Sequence, residues 1–198
     1  RLYALHHEGS PELSIPSNFV KLANDLALPS GSSVRWKTSK DLINTNTVGD
    51  RVAEVTVQLP GDSQTYTVSV PYTILPTIEA KSPIYDLKGQ GLHNGKDESN
   101  YIKSDTTDVS YTTQWTDASG VSFTTIPLTV DNTGTFTYAI KRIYDVGRYG
   151  ATTDTSKLLT TSTTLEHRVI ELTTKHKVFH QNVVEPPLYP NVGRQMKL

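Results

Sequence analysis

The chain has 198 residues, a formal net charge of −1, 35% hydrophobic and 20% charged residues, and no cysteine. Its balanced charge sets up no overall field that would draw nucleic acid, and without cysteine there are no disulfides, thiolate metal sites or cysteine nucleophiles. No apolar run approaches the ~20 residues of a membrane-spanning helix, and the length suffices for one large domain or two of ~100 residues.

The chain opens on Arg1 and its one methionine is Met196, which reads as a piece of a longer or processed chain. Residues 1–11 are polar and irregular, with His6-His7 near the start. From Asn18 to Leu28, Phe19, Leu22, Ala23 and Leu26 follow i, i+3, i+4, i+7 spacing, and Ser17 or Asn18 can cap the start. That pattern predicts a short helix over 18–28, ended by Pro29-Ser30-Gly31. A strand with Trp36 follows, then a turn at Thr47 to Asp50.

The stretch Val55 to Ile74 predicts a hairpin. Val55, Val57 and Leu59 share one face of its first strand, and Tyr66, Val68, Val70, Tyr72 and Ile74 one face of its second. Pro60-Gly61-Asp62-Ser63 supplies a loop longer than two residues. Pro71 has no amide donor, which predicts an edge strand or a bulge. Leu75-Pro76-Thr77 marks a module boundary. Residues 77–108 read as mostly loop with a short strand near 84–87.

Val109, Tyr111, Thr113 and Trp115 then alternate, Asp117 to Gly120 turns, and 121–126 reads as a strand. After a turn at Asp131 to Gly134, Phe136, Tyr138 and Ile140 line one face. Residues 158–172 are β-rich without clean alternation, and 185–198 read as an extended tail. Trp36, Gly49 and the first hairpin are echoed by Trp115, Gly134 and the strand after it, which suggests two related modules. The fold expected is all-β: two immunoglobulin-like β-sandwich modules in series, 1–76 with the short helix and 77–184 larger.

Leu28-Pro29, Gly31, Thr47-Val48-Gly49 and Val55-Thr56-Val57 resemble the Rib/alpha-like repeat domain of Gram-positive surface proteins. Leu59-Pro60-Gly61-Asp62-Ser63 stands where that family has a Tyr-Pro-Asp-Gly-Ser turn, with leucine for tyrosine and glycine and aspartate exchanged. The resemblance covers roughly residues 12–76. It implies a cell-wall-attached extracellular chain whose modules form a stalk or present a binding module, and it brings no catalytic residues.

No catalytic motif is present: no nucleophile elbow, zinc-protease helix, phosphate loop or dinucleotide fingerprint. The chain is expected to be non-catalytic and to need no cofactor. His176 and His180 share a strand face but lie ~13 Å apart, which suits solvated histidines better than a metal pair. Asp97, Glu98, Asn100, Asp105 and Asp108 could offer oxygen ligands to calcium but lack EF-hand spacing. Tyr144, Asp145, Arg148 and Tyr149 combine aromatic faces with a guanidinium fork in one glycine-containing loop, the chemistry that holds an acidic sugar. An isopeptide link from Lys81 to Asn182, or from Lys141, is a further option, although unpaired buried lysines are unusual.

The function expected is that of a monomeric segment of a surface adhesin, acting as a spacer and possible binder of a host glycan or extracellular-matrix protein. A carbohydrate-binding module of a secreted enzyme and a capsid or fibre domain are the alternatives, the last because an extended tail suits assembly.

Overall fold

The computed structural model describes residues 1–175. His176, His180, Asn182 and the expected tail at 185–198 lie outside the described residues. Strands β1 (Leu2–Leu5), β2 (Ser33–Trp36), β3 (Gly49–Gln58) and β4 (Tyr66–Leu75) form a sheet in the order β1-β4-β3-β2. β1 runs parallel to β4, and the other pairs are antiparallel. The expected alternation holds in the hairpin: Val55, Val57, Val70, Tyr72 and Ile74 are buried, with Leu13 and Ile43 from the loops packed over them.

Five strands of the second half build another sheet: β6 (Ile84–Leu87), β8 (Tyr111–Thr116), β9 (Ser122–Phe123), β10 (Gly134–Gly147) and β11 (Leu158–Ile170). Its order is β6-β11-β10-β8-β9. A two-stranded sheet, β5 (Glu79–Ala80) with β7 (Ile102–Lys103), lies over it. The amides of Ile78 and Ala80 donate to the inward hydroxyls of Thr161 and Thr163, at 3.2 and 2.9 Å. Those inward threonines explain why 158–172 shows no clean alternation of apolar residues. The core here gathers Trp115, Tyr138, Ile140, Leu165 and Tyr101, and Trp115 meets Tyr101 and Tyr138 edge to face.

The two sheets share one topology and one register. In both, the first strand runs parallel to the last, the last pairs with the penultimate, and that pairs with a tryptophan-bearing strand. Trp36 faces Val55 as Trp115 faces Ile140. Gly49 faces Ile74 as Gly134 faces Val169. Both glycines open their strands at positive φ, +125° and +147°, where a side chain would be strained.

Four local expectations are corrected. Residues 18–28 are not an α-helix: Pro16–Phe19 is a 3-10 turn, and the chain then forms a loop closed by the Leu22 amide on the Leu26 carbonyl. Asp25 takes a left-handed φ of +66°, the Asn24 side chain accepts from the Leu26 amide, and Leu26 is 61% exposed. Of the helically spaced residues Phe19 packs on Trp36 and the first core, but Ala23 and Leu26 are exposed, and asparagine and aspartate favour the turn. β4 lies inside its sheet, not at an edge, and its pairing with β1 begins at Tyr72, one residue past Pro71. Of the strand expected over 121–126, only Ser122–Phe123 forms. Residues 144–147 are the end of β10 and not loop.

Candidate ligand-binding cleft

The residues singled out between 144 and 149 sit at the seam between the two halves. Tyr144 is fully buried with Leu75 and Leu159, and Tyr3, Leu5, Val109 and Val146 pack around them. Its hydroxyl donates to the Pro76 carbonyl at 2.5 Å, and burial raises the phenol above its ordinary pKa. Arg148 grips both oxygens of Glu8 and lies 3.9 Å from Glu12. The bond to Glu8 raises the guanidinium further and outweighs its partial burial. The Tyr3 amide donates to the Arg148 carbonyl at 2.7 Å. Asp145 has an exposed side chain and an amide bonded to Ser110. Tyr149, 64% exposed, borders a different hollow with Phe19 and Pro71. The four residues therefore share no exposed face: Tyr144 offers no ring surface, and the Arg148 fork is taken up within the chain.

A buried guanidinium without a carboxylate partner among the described residues lies elsewhere. Arg142 is only 7% exposed, yet no ion pair joins it to a carboxylate among the described residues. Its Nη1 donates to Ser104 Oγ at 2.9 Å, and its buried Nε has no hydrogen-bond partner among the described residues. The Tyr111 ring covers it, 3.9 Å from ring centre to guanidinium carbon. By register Arg142 stands where the first sheet has Val57: Val34 faces Val57 as Thr113 faces Arg142, and Tyr66 faces Val57 as Thr161 faces Arg142. An apolar layer in one module is a polar, cationic layer in the other. Burying a charge without a paired carboxylate works against stability.

Arg142 and Tyr111 line a cleft of about 390 Å³ with Asp97, Glu98, Ser104 and Asp105. Three of the four acids weighed for calcium thus border one cleft, whereas Asp108 lines a different hollow, and two of the three are engaged. Asp97 accepts from the amide and hydroxyl of Ser99, which hold its carboxyl below the ordinary range. Glu98 accepts from Trp115 Nε1 at 3.2 Å. Among the described residues no group of three or more acidic, histidine or cysteine side chains is placed to hold a metal ion. A second groove of about 520 Å³ shares Glu98 and Tyr111 and adds Lys96 and Thr113.

Asp86 is the other buried charge. It accepts from the His93 amide (2.9 Å), His93 Nδ1 (2.7 Å) and His167 Nε2 (2.7 Å). Burial alone would raise this carboxyl, but the three donors together hold it below the ordinary carboxylate range. No hydroxyl bonds to either ring among the described residues, and the His93 side chain is exposed. Lys81 bonds to the Ser99 carbonyl. Sequence reasoning missed Arg142, although a visible signal marked it: in Tyr138, Ile140, Arg142, Tyr144 a charge interrupts the inward set of a period-two strand.

No family model matches the chain, so the Rib-like likeness rests on its turn residues and strand alternation. Over 77 residues, 39% of the chain, it is 43% identical to the extracellular matrix-binding protein EbhB of Staphylococcus aureus strain Newman. The same identity over the same length relates it to the extracellular matrix-binding protein ebh of Staphylococcus aureus strain NCTC 8325. The match spans about 1% of the length of each of those proteins. The crystal structure of human mucin-like protocadherin EC1-2 aligns with 86% of this chain and 95% of its own at 11% identity, with a TM-score of 0.33. That score is too low for any inference.

Proposed function

We propose that the chain is a non-catalytic segment of a Gram-positive, wall-attached surface adhesin, in which two serial modules position a cleft around Arg142 for a matrix protein. Arg142 carries the reading: a buried guanidinium with no carboxylate partner among the described residues, held under Tyr111 at a position where the sister sheet has valine, costs stability. A planar fork suits a carboxylate. The neighbouring Asp97, Glu98 and Asp105 favour a ligand segment that carries a cationic group beside that carboxylate. The relatives named for matrix binding support the same reading.

The test is saturable binding of the chain to a panel of purified matrix proteins. Arg142→Met is expected to weaken binding about tenfold or more, and Tyr111→Ser is expected to act in the same direction. Arg148→Met, which leaves the cleft intact, should bind as the parent does. Equal affinity in all three variants, each folded by circular dichroism, would remove the cleft from the account.

A further inference from the structure

The equivalence of the two modules extends to their ends. Leu5 pairs with Leu75 and the next amide, His6, donates to the Leu75 carbonyl at 2.8 Å. Leu87 pairs with Ile170 and the next amide, Lys88, donates to the Ile170 carbonyl at 2.9 Å. One residue on, His7 (φ +60°) donates to Thr45 and Gly89 (φ +74°) donates to Val130. Glu8 bonds back to Leu5 as Gln90 bonds back to Leu87. Tyr3, Leu5 and Leu75 of the first module therefore correspond to Tyr85, Leu87 and Ile170 of the second.

The fates of the two triplets differ. The first packs on Tyr144, Leu159, Val109 and Val146, and Glu8 beside it receives Arg148. The second has no such apolar cover among the described residues: Tyr85, Leu87 and Ile170 are 48%, 37% and 40% exposed and border a hollow of about 400 Å³ with Gln90, Gly91 and His93, and Tyr85 is met by Arg168, which bonds its hydroxyl at 2.9 Å. Three large side chains left open together on one end of a module mark an interaction surface.

The geometry points to this end face as the seat of a further β-module. The occupant is a module of the second type, whose Tyr144- and Leu159-like pair covers Tyr85, Leu87 and Ile170 as the first seam is covered. Because Gln90 replaces Glu8, the incoming arginine meets a neutral amide, and this second seam is held by apolar contact and hydrogen bonds without the ion pair. The inference rests on the serial-module part of the proposed function and is independent of ligand binding at Arg142.

The experiment duplicates the second module within the whole chain, residues 1–170 followed directly by 76–198, which repeats the Leu75-to-Pro76 connection at Ile170. Hydrogen–deuterium exchange follows peptides covering 84–90 and 165–170, with core peptides of β10 reporting that both copies are folded. The expected result is two mass envelopes for 84–90, one exchanging as in the parent and one at least tenfold slower. Leu87→Asn in the inner copy should merge them, yet leave the urea midpoint of the unduplicated chain unchanged, because Leu87 is exposed there. A single fast envelope with both cores protected overturns the proposal. So does a second copy whose core exchanges freely, since a seat must sustain its module. In the parent, faster exchange of 84–90 after removal of residues 176–198 would assign the face to that segment and overturn it too. Arg142-dependent binding is measured on the same chains, so either reading can fail alone.

Discussion

Val57 and Arg142 occupy the same rung of the same four-strand ladder, and the two modules diverge from there. The first fills its inward face with Val34, Val55, Val57, Val70 and Ile74. The second places Thr113, Arg142, Thr161, Thr163 and His167 at inward positions and compensates with large aromatics, Trp115, Tyr101 and Tyr138, and with hydrogen bonds. A shared topology thus tolerates either a plain aliphatic layer or a polar one in which most buried polar atoms find partners. Arg142 Nε and His167 Nδ1 are the buried side-chain atoms that find none among the described residues, and both belong to the second module.

The sharpest test of this contrast compares the two tryptophans at one register position. Trp115 is fully buried, whereas Trp36 is only half-buried and donates to the Ser14 carbonyl. Trp115→Ala should lower unfolding stability by about 3–5 kcal/mol, and Trp36→Ala by about 1–2 kcal/mol, both read from urea titrations. Equal losses would mean that the first module leans on its tryptophan as heavily as the second.

The polar core is tested next through Asp86. At pH 7 Asp86→Asn should cost about 2 kcal/mol, since the hydrogen bonds lost run to a buried charge. The Asp86 carboxyl is lowered in the folded state, so its contribution is fully present above the unfolded value of about 3.9 and is lost as pH falls through the lowered native value. The gap between parent and variant should therefore persist at about pH 5 and close on acidification below about pH 4. A gap that is flat down to pH 2 would show that the ionised carboxylate is not what the histidines stabilise.

At the seam, Tyr144→Phe leaves the Pro76 carbonyl without its donor and should cost about 1 kcal/mol, with the loss appearing as earlier unfolding of whichever module is the weaker. The smallest effect is expected at Leu26. As an exposed loop residue it should accept serine within about 0.5 kcal/mol; a larger loss would restore the packed helix face that the sequence suggested.

Much of the strand content was legible because it follows from period two. The hairpin Val55 to Ile74, the strand at 84–87, the turn at Asp117 to Gly120 and the inward set Phe136, Tyr138, Ile140 all announce themselves through side-chain alternation and turn residues, which are local properties of the chain. The all-β class and the echo between Trp36-Gly49 and Trp115-Gly134 were determined in the same way. What the tertiary structure decided is where each local pattern found a partner. Helical spacing at 18–28 yielded to the turn at Asn24-Asp25, which keeps Phe19 on the core and leaves Leu26 in solvent. Pro71 sits inside a sheet because β1 pairs only beyond it. Arg148 and Arg142 look alike in sequence, yet Glu8, 140 positions away, neutralises the first, and no carboxylate among the described residues reaches the second. Charge pairing across such distances depends on how strands are ordered in space, and one-dimensional periodicity carries no record of it.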